Sequence, residues 1–250
     1  MEMLLAGLII GLVMGLTGSG GALIAIPLFM HFQNMTLIEA SSFSLIAVVL
    51  SASFNFFPQR KEADSKLAVS LIPFSIAGSF LAVPIKSGIS PSVVGILLAI
   101  IALYSLYSVW KPTAPHVSST HVSKQGQIAL VIIIGLTLGV LTTLTGLGGG
   151  VLLMPIFISI FKFSQHKAVA TSLVVVAISS VFSILFQIQK GLIPVIDIQV
   201  VLLALGILIT AIALQLSTKL ISKTVLHKMR QIVFTLVVFV AMSKIAGELL

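Results

Sequence analysis

"LTGSGGALIAIP" (residues 16–27) and "LTGLGGGVLLMP" (residues 144–155) are two versions of one dodecapeptide, 128 residues apart. Each lies in one of the most apolar parts of the chain, yet carries three or four glycines and closes on a proline. In a helix interior, Gly costs about 1 kcal/mol and Pro about 3 kcal/mol relative to Ala. A hydrophobic segment that accepts both, twice and at matched positions, is built to be interrupted.

The surroundings of these motifs name the solvent. Of 250 residues, 58% are hydrophobic and only 8% are charged, with a mean hydropathy of +1.23. A soluble domain carries about 25% charged residues, and a chain this apolar would have an apolar exterior in water. The solvent is therefore lipid. Cysteine is absent, which removes disulfides and thiolate metal sites. The net charge of +8 comes from 14 Lys and Arg scattered in short breaks between apolar runs. That is not the basic stripe of a nucleic-acid binder; in a membrane protein it reports orientation. The start "MEMLLAGLII" has Glu2 where a signal peptide needs positive charge, so it reads as a retained first membrane segment.

Apolar stretches cover residues 3–33, 36–57, 67–85, 91–110, 128–161, 166–188, 197–216 and 228–246. Six are near the ~20 residues that a helix needs to cross the hydrocarbon. The first and fifth are longer and contain the glycine motifs. Backbone groups must be satisfied within lipid and no barrel-like alternation is present, so the fold class is an all-α integral membrane protein. The longest polar break, "KPTAPHVSSTHVSKQG" (111–126), divides the chain almost in half. Repeat 1 is taken as residues 1–110, the linker as 111–127 and repeat 2 as 128–250. At the 128-residue offset Gly7, Gly11, Thr17, Gly18, Gly20, Gly21 and Pro27 match Gly135, Gly139, Thr145, Gly146, Gly148, Gly149 and Pro155. Further along, Ser44, Ser51, Phe54 and Gly78 match Ser172, Ser179, Phe182 and Gly206.

Charge then bears on how the repeats face. If all eight segments cross, Lys and Arg divide 7:7 between the two sides. If the first and fifth segments bend back at their glycines, the division becomes 11:3, with only Lys86, Lys190 and Lys244 on the minority side. The second arrangement obeys the positive-inside rule. It makes the first and fifth segments re-entrant hairpins with arms of 12–16 residues, roughly 18–24 Å each. The repeats are then inverted, and both termini are non-cytoplasmic. A single broken, steeply tilted crossing followed by a surface turn is the alternative.

Interrupted segments at matched positions of two halves point to a transporter binding site. The half-helices that start after each motif aim N–H groups and positive dipole ends at the protein's middle. Thr17, Gly18, Ser19, Gly20 and Gly21 in the first half, and Thr145, Gly146, Gly148, Gly149 and Gly150 in the second, are the candidate lining of a small-anion site. Ser44 in "EASSFS" and Thr171 and Ser172 in "AVATSL" join them, although intrahelical back-bonding is the plain use of such hydroxyls. Gly7, Gly11, Gly135 and Gly139 are assigned to close helix packing. Lys86 falls after a helix end, in "KSGIS" (86–90), and no deep ionisable residue or metal-ligand spacing stands out. No cofactor, no nucleic acid and no enzymatic nucleophile–base pair is indicated, and oligomeric state is not readable.

Together "GLTGSGGALIAIPLF", "LTGLGGGVLLMPIF", "EASSFS" and "AVATSLVVV", with the mid-chain linker and the total length, resemble the TauE/SafE-like sulfite exporter family, also called the toluene sulfonate uptake permease family. The resemblance covers essentially the whole chain. It implies a multi-pass inner-membrane permease for a small, often sulfur-containing anion such as sulfite, a sulfonate or sulfoacetate. It carries over to Thr17–Gly21, Ser44, Thr145–Gly150, Thr171 and Ser172. The first half departs from the pattern: Phe43 stands where Thr171 stands in the second. The expectation is alternating access around a central site; a passive anion channel and a non-transporting membrane scaffold are the rivals.

Overall fold

The computed structural model describes residues 2–17, 22–110, 124–192, 198–217, 231–233, 235–236, 238–243 and 247. They form helices and short connections, with no strand among the described residues. The first half holds α1 (Glu2–Thr17), α2 (Ala22–Phe32), α3 (Leu37–Gln59), α4 (Ser65–Gly88) and α5 (Pro91–Trp110), with one 3-10 turn (Arg60–Glu62) between α3 and α4. The second holds α6 (Lys124–Thr145), α7 (Gly150–Ser159), α8 (Gln165–Gln189) and α9 (Ile198–Ser217). A further apolar helical stretch runs over Gln231–Ser243.

By length and composition, four described helices can cross a membrane: Leu37–Glu62, Ser65–Gly88, Gly126–Thr145 and Gln165–Gln189. Three of these helices, α3, α4 and α8, start at polar caps. Thr36 and Glu39 form a capping box at α3, with the Thr36 N–H donating to the Glu39 carboxylate at 2.9 Å. Asp64 caps α4 through the Leu67 N–H at 3.1 Å, and Ser164 caps α8 through the Lys167 N–H. Small hydroxyl side chains are buried within a largely apolar interior, and the outer surface is apolar as well. Ser41, Ser44, Ser75, Ser79, Thr143 and Ser179 are buried, while Leu5, Ile9, Leu12, Phe80, Ile96, Ile100 and Leu103 face outward. Such an exterior suits a chain whose outer surface meets hydrocarbon and whose helices are also held by small residues and hydrogen bonds.

Neighbouring helices fix the directions of travel. On α4 and α6, Gly135 lies against Leu71 and Phe74, Gly139 against Ser75 and Ser79, and Thr143 against Lys86. Residue numbers rise together, so the two helices are parallel. The same holds for α4 and α8, where Thr171 meets Asp64, Ser179 meets Ser75 and Phe186 meets Phe80. Helices α6 and α8 therefore start at the same end of the bundle, and α7, lying against α8, brings the chain back between them. In the other half α1 runs alongside α9, with Gly7 against Leu203 and Gly206 and Gly11 against Ile207 and Thr210. This is the α6–α4 seam at an offset of 128 residues, and in both seams a helix of one half packs on a helix of the other. At Gly139 a Cβ would meet the Ser75 carbonyl oxygen, so only glycine lets these backbones touch.

The end at which α4, α6 and α8 begin is the basic end. Arg60, Lys61, Lys66, Lys124, Lys162 and Lys167 gather there, while Lys86 and Lys190 belong to the far end. Lys111, Lys219, Lys223, Lys228, Arg230 and Lys244 lie outside the described residues.

Two expectations need correction. The arms of the second interrupted segment are unequal: α6 has 22 residues and α7 has 10, which is roughly 33 Å and 15 Å. Helix α6 is long because it starts four residues before the apolar run and stays seamed to α4 as far as Thr143. Lys86 does not follow a helix end either. It lies inside α4, wholly buried, because the helix continues through Gly88 along the same seam.

Candidate functional site

Helix α6 ends where the Gly146 N–H donates to the Thr142 carbonyl at 2.9 Å. The next residues have φ of +71° at Gly146, +71° at Gly148 and +60° at Gly149. This left-handed region costs an L side chain roughly 1–2 kcal/mol per residue. Space opposes a side chain as well: a Cβ on Gly146 would meet the Ser41 carbonyl and the Ser44 hydroxyl, and one on Gly148 would meet the end of the Val48 side chain, which must shift. The sharp turn therefore needs glycine for conformation and for close approach at the same positions.

Its location is central. Gly148 lies against Val48 and Val176, at the midpoints of α3 and α8, and every residue from Thr142 to Gly150 is buried. Ser44 ties the turn to the first half: its Oγ lies 2.8 Å from both the Gly146 and the Ser41 carbonyl oxygens, which share its one proton. Thr145 Oγ1 donates to the Leu141 carbonyl at 2.6 Å and accepts the Leu147 N–H at 3.3 Å. These contacts hold the loop rigid without charging it.

Helix α7 then starts with Gly149 as its N-cap and no side-chain cap. The N–H groups of Leu152 and Leu153 both go to the Gly149 carbonyl at 3.0 Å. Those of Gly150 and Val151 precede the helical ladder and have no acceptor within it. They carry the positive end of the α7 dipole at the middle of the bundle. Beside them stands Thr142, whose Oγ1 is buried with no hydrogen-bond partner and lies close to Gly149. Helix-start N–H groups without a side-chain cap and a spare hydroxyl in a buried, central place suit an anion, since both donate and neither brings a negative charge.

The expected residues are thus brought together only in part. Ser44, Thr145, Gly146, Gly148, Gly149 and Gly150 converge on the turn. Ser172 Oγ donates to the Val169 carbonyl in its own helix. Thr171 sits nearer the basic end, donating to the Lys167 carbonyl at 2.7 Å and accepting the Asp64 N–H at 2.9 Å. Gly18, Ser19, Gly20 and Gly21 lie outside the described residues, as does the side chain of Thr17, the last residue of α1.

Sequence reading passed over two groups here. Thr142 carried no signal, because one more threonine in an apolar helix is commonplace. Lys86 was hidden by its polar neighbours: Nζ donates to the Thr143 carbonyl at 2.9 Å, in the last turn of α6, where a cation opposes the negative dipole end. At the basic end Lys167 pairs with Asp64 at 2.7 Å and stands over the Phe163 ring at 4.2 Å. The Lys167 hydrogen bond holds the Asp64 carboxyl below the usual carboxylate range. No cluster of three or more His, Cys, Asp or Glu suited to a metal occurs among the described residues.

A family model described as sulfite exporter TauE/SafE matches residues 3–243. A probable membrane transporter protein of Methanocaldococcus jannaschii is 26% identical over 191 residues, covering 72% of this chain and 68% of its own. The probable membrane transporter protein YunE of Bacillus subtilis is 26% identical over 201 residues, covering 70% of this chain and 72% of its own. No solved structure matches significantly.

Proposed function

We propose, from the premise that this chain belongs to the sulfite exporter TauE/SafE family and is a multi-pass membrane transporter, that its cargo is a small oxyanion, with sulfite, sulfonates and sulfoacetate as the first candidates. The observation that carries this reading is the uncapped start of α7, buried at mid-bundle beside the unpartnered hydroxyl of Thr142. A cation would meet the positive dipole end there, and a neutral solute would leave it uncompensated. In this reading Thr145, Gly146, Gly148, Gly149, Gly150 and Ser44 form one wall. The matching stretch Thr17–Gly21, with Thr171 and Ser172, belongs to the other half of the site.

Transport proceeds by alternating access: the two interrupted segments are re-entrant hairpins of inverted repeats, which rock around the central anion. The basic end is cytoplasmic under the positive-inside rule, the membrane is the inner one and both termini are non-cytoplasmic. The seams α1–α9 and α4–α6 are in keeping with a two-repeat arrangement, because each joins one half to the other along a matched line of close backbone contact.

The test is purified protein in liposomes challenged with sulfite, thiosulfate, sulfoacetate, taurine and small carboxylates. Saturable, counter-flow-stimulated uptake of one or more anions is the expected result. Flux of a cation or neutral solute without anion flux overturns it, and unsaturable flux at channel rates overturns alternating access.

A further inference from the structure

Near the far end of the bundle, four wholly buried polar side chains form a hydrogen-bonded row. Lys86 Nζ donates to the Thr143 carbonyl at 2.9 Å, Thr143 Oγ1 and Ser183 Oγ are 2.9 Å apart, and Gln187 Nε2 donates to Ser183 Oγ at 3.0 Å. The row has unused capacity. Gln187 Oε1 is buried with no partner, as is the Ser180 hydroxyl in the same helix. Because the amide oxygen and nitrogen can exchange places by a flip, Gln187 holds one spare polar atom of either kind.

The plain use of Lys86 is to cap the last carbonyls of α6. One N–H serves that purpose; the charge and the other two N–H groups do not follow from it. A buried ammonium without a counter-charge is destabilising by several kcal/mol in effective terms. Among the described residues the ion pair is Asp64–Lys167, at the opposite end. A neutral donor such as glutamine would cap the carbonyl without that penalty. What the charge suits is a mobile anion: an ammonium supplies the counter-charge, and hydroxyls and a carboxamide supply directional donors. Position agrees as well. Thr143 is three residues before Gly146, and Ser183 and Gln187 lie beyond Val176, the neighbour of Gly148, along α8 toward the far end, so the row adjoins the central turn on that side.

We propose that Lys86, Thr143, Ser183 and Gln187 form a cationic oxyanion subsite, a second stop for the permeant anion between the Gly146–Gly149 turn and the far end. This rests on the anion-transport reading above. The ammonium holds the anion by charge, and Gln187 and the hydroxyls orient its oxygens.

The test is initial-rate uptake of radiolabelled sulfite, or of whichever anion the wild type carries best in the panel, into proteoliposomes. Lys86→Gln keeps a donor for the Thr143 carbonyl but removes the charge; Lys86→Arg keeps both. The expected result is a KM raised about 10-fold or more by Lys86→Gln, and within about 3-fold of wild type for Lys86→Arg, with both variants monodisperse. An unchanged KM for Lys86→Gln overturns the subsite and leaves the transport reading standing. If Lys86→Gln does not fold, Gln187→Leu decides with the lysine intact: a raised KM supports the subsite, and an unchanged one overturns it. A wild type that moves no anion removes both readings together.

Discussion

Two sets of glycines do different work in this protein, and Gly139 and Gly148 represent them. Gly139 lies within the regular helix α6, where any residue could adopt the backbone; what matters is the Ser75 carbonyl where its Cβ would be. Gly148 lies in a left-handed turn, and the neighbour in its way is the end of a Val48 side chain, which can move. One glycine removes bulk so that two rigid backbones can meet. The other supplies a conformation, with crowding as a lesser obstacle. In lipid, where helices are not driven together by hydrophobicity, the first kind holds the fold. The second shapes the site.

The sharpest way to break this distinction is Gly139→Leu. Its side chain meets backbone that cannot yield, so no monodisperse protein is expected by fluorescence-detected size exclusion; a folded, active Gly139→Leu protein would remove the seam from the account. Gly148→Ala should come next. The protein stays folded, with a cost of about 1–2 kcal/mol from the left-handed backbone, while anion uptake drops about 10-fold or more as the start of α7 shifts. Equal losses of stability and transport in the two alanine variants Gly139→Ala and Gly148→Ala would mean that the classes are one.

A smaller effect is expected at Ser44→Ala, which removes the hydrogen bond from α3 to the Gly146 carbonyl. About 1 kcal/mol of stability should go with it, read as a modest fall in Tm, and Thr142→Val should leave Tm nearly unchanged while raising KM. The smallest lies outside the comparison, at the basic end, and calibrates it. Asp64 has a lowered folded pKa, so its pairing with Lys167 stabilises the protein above the ordinary carboxylate range. That contribution is lost as pH falls through the lower folded value. The pair is partly exposed, so Asp64→Asn should cost less than about 1 kcal/mol at neutral pH, measured as Tm at pH 7 and again near pH 3.

Much of the fold was legible because lipid imposes simple rules. Apolar runs of about the right length marked α3, α4, α5, α8 and α9 to within a few residues, and the second glycine cluster marked the break before α7; the first, Gly18–Gly21, lies outside the described residues. Gly7, Gly11, Gly135 and Gly139 were readable as close-contact positions by their spacing alone. Ser44 drew attention because a polar residue recurs at the same place in each half, whereas its bond to Gly146 is a fact of packing. The contact of Thr171 with the Asp64 N–H was not legible, because its neighbours in sequence say nothing of which distant backbone lies beside it.

What the sequence by itself determined was the solvent, the helical class and the places where helices must stop, since each depends on composition or on residues adjacent in the chain. Only the tertiary structure decided that α6 travels with α4, that the turn at Gly146–Gly149 sits at mid-bundle and that Lys86 is buried. Those facts depend on which distant backbones touch. A lysine two residues from a helix end reads the same whether a neighbouring helix covers it or not, and here the end of α6 covers it.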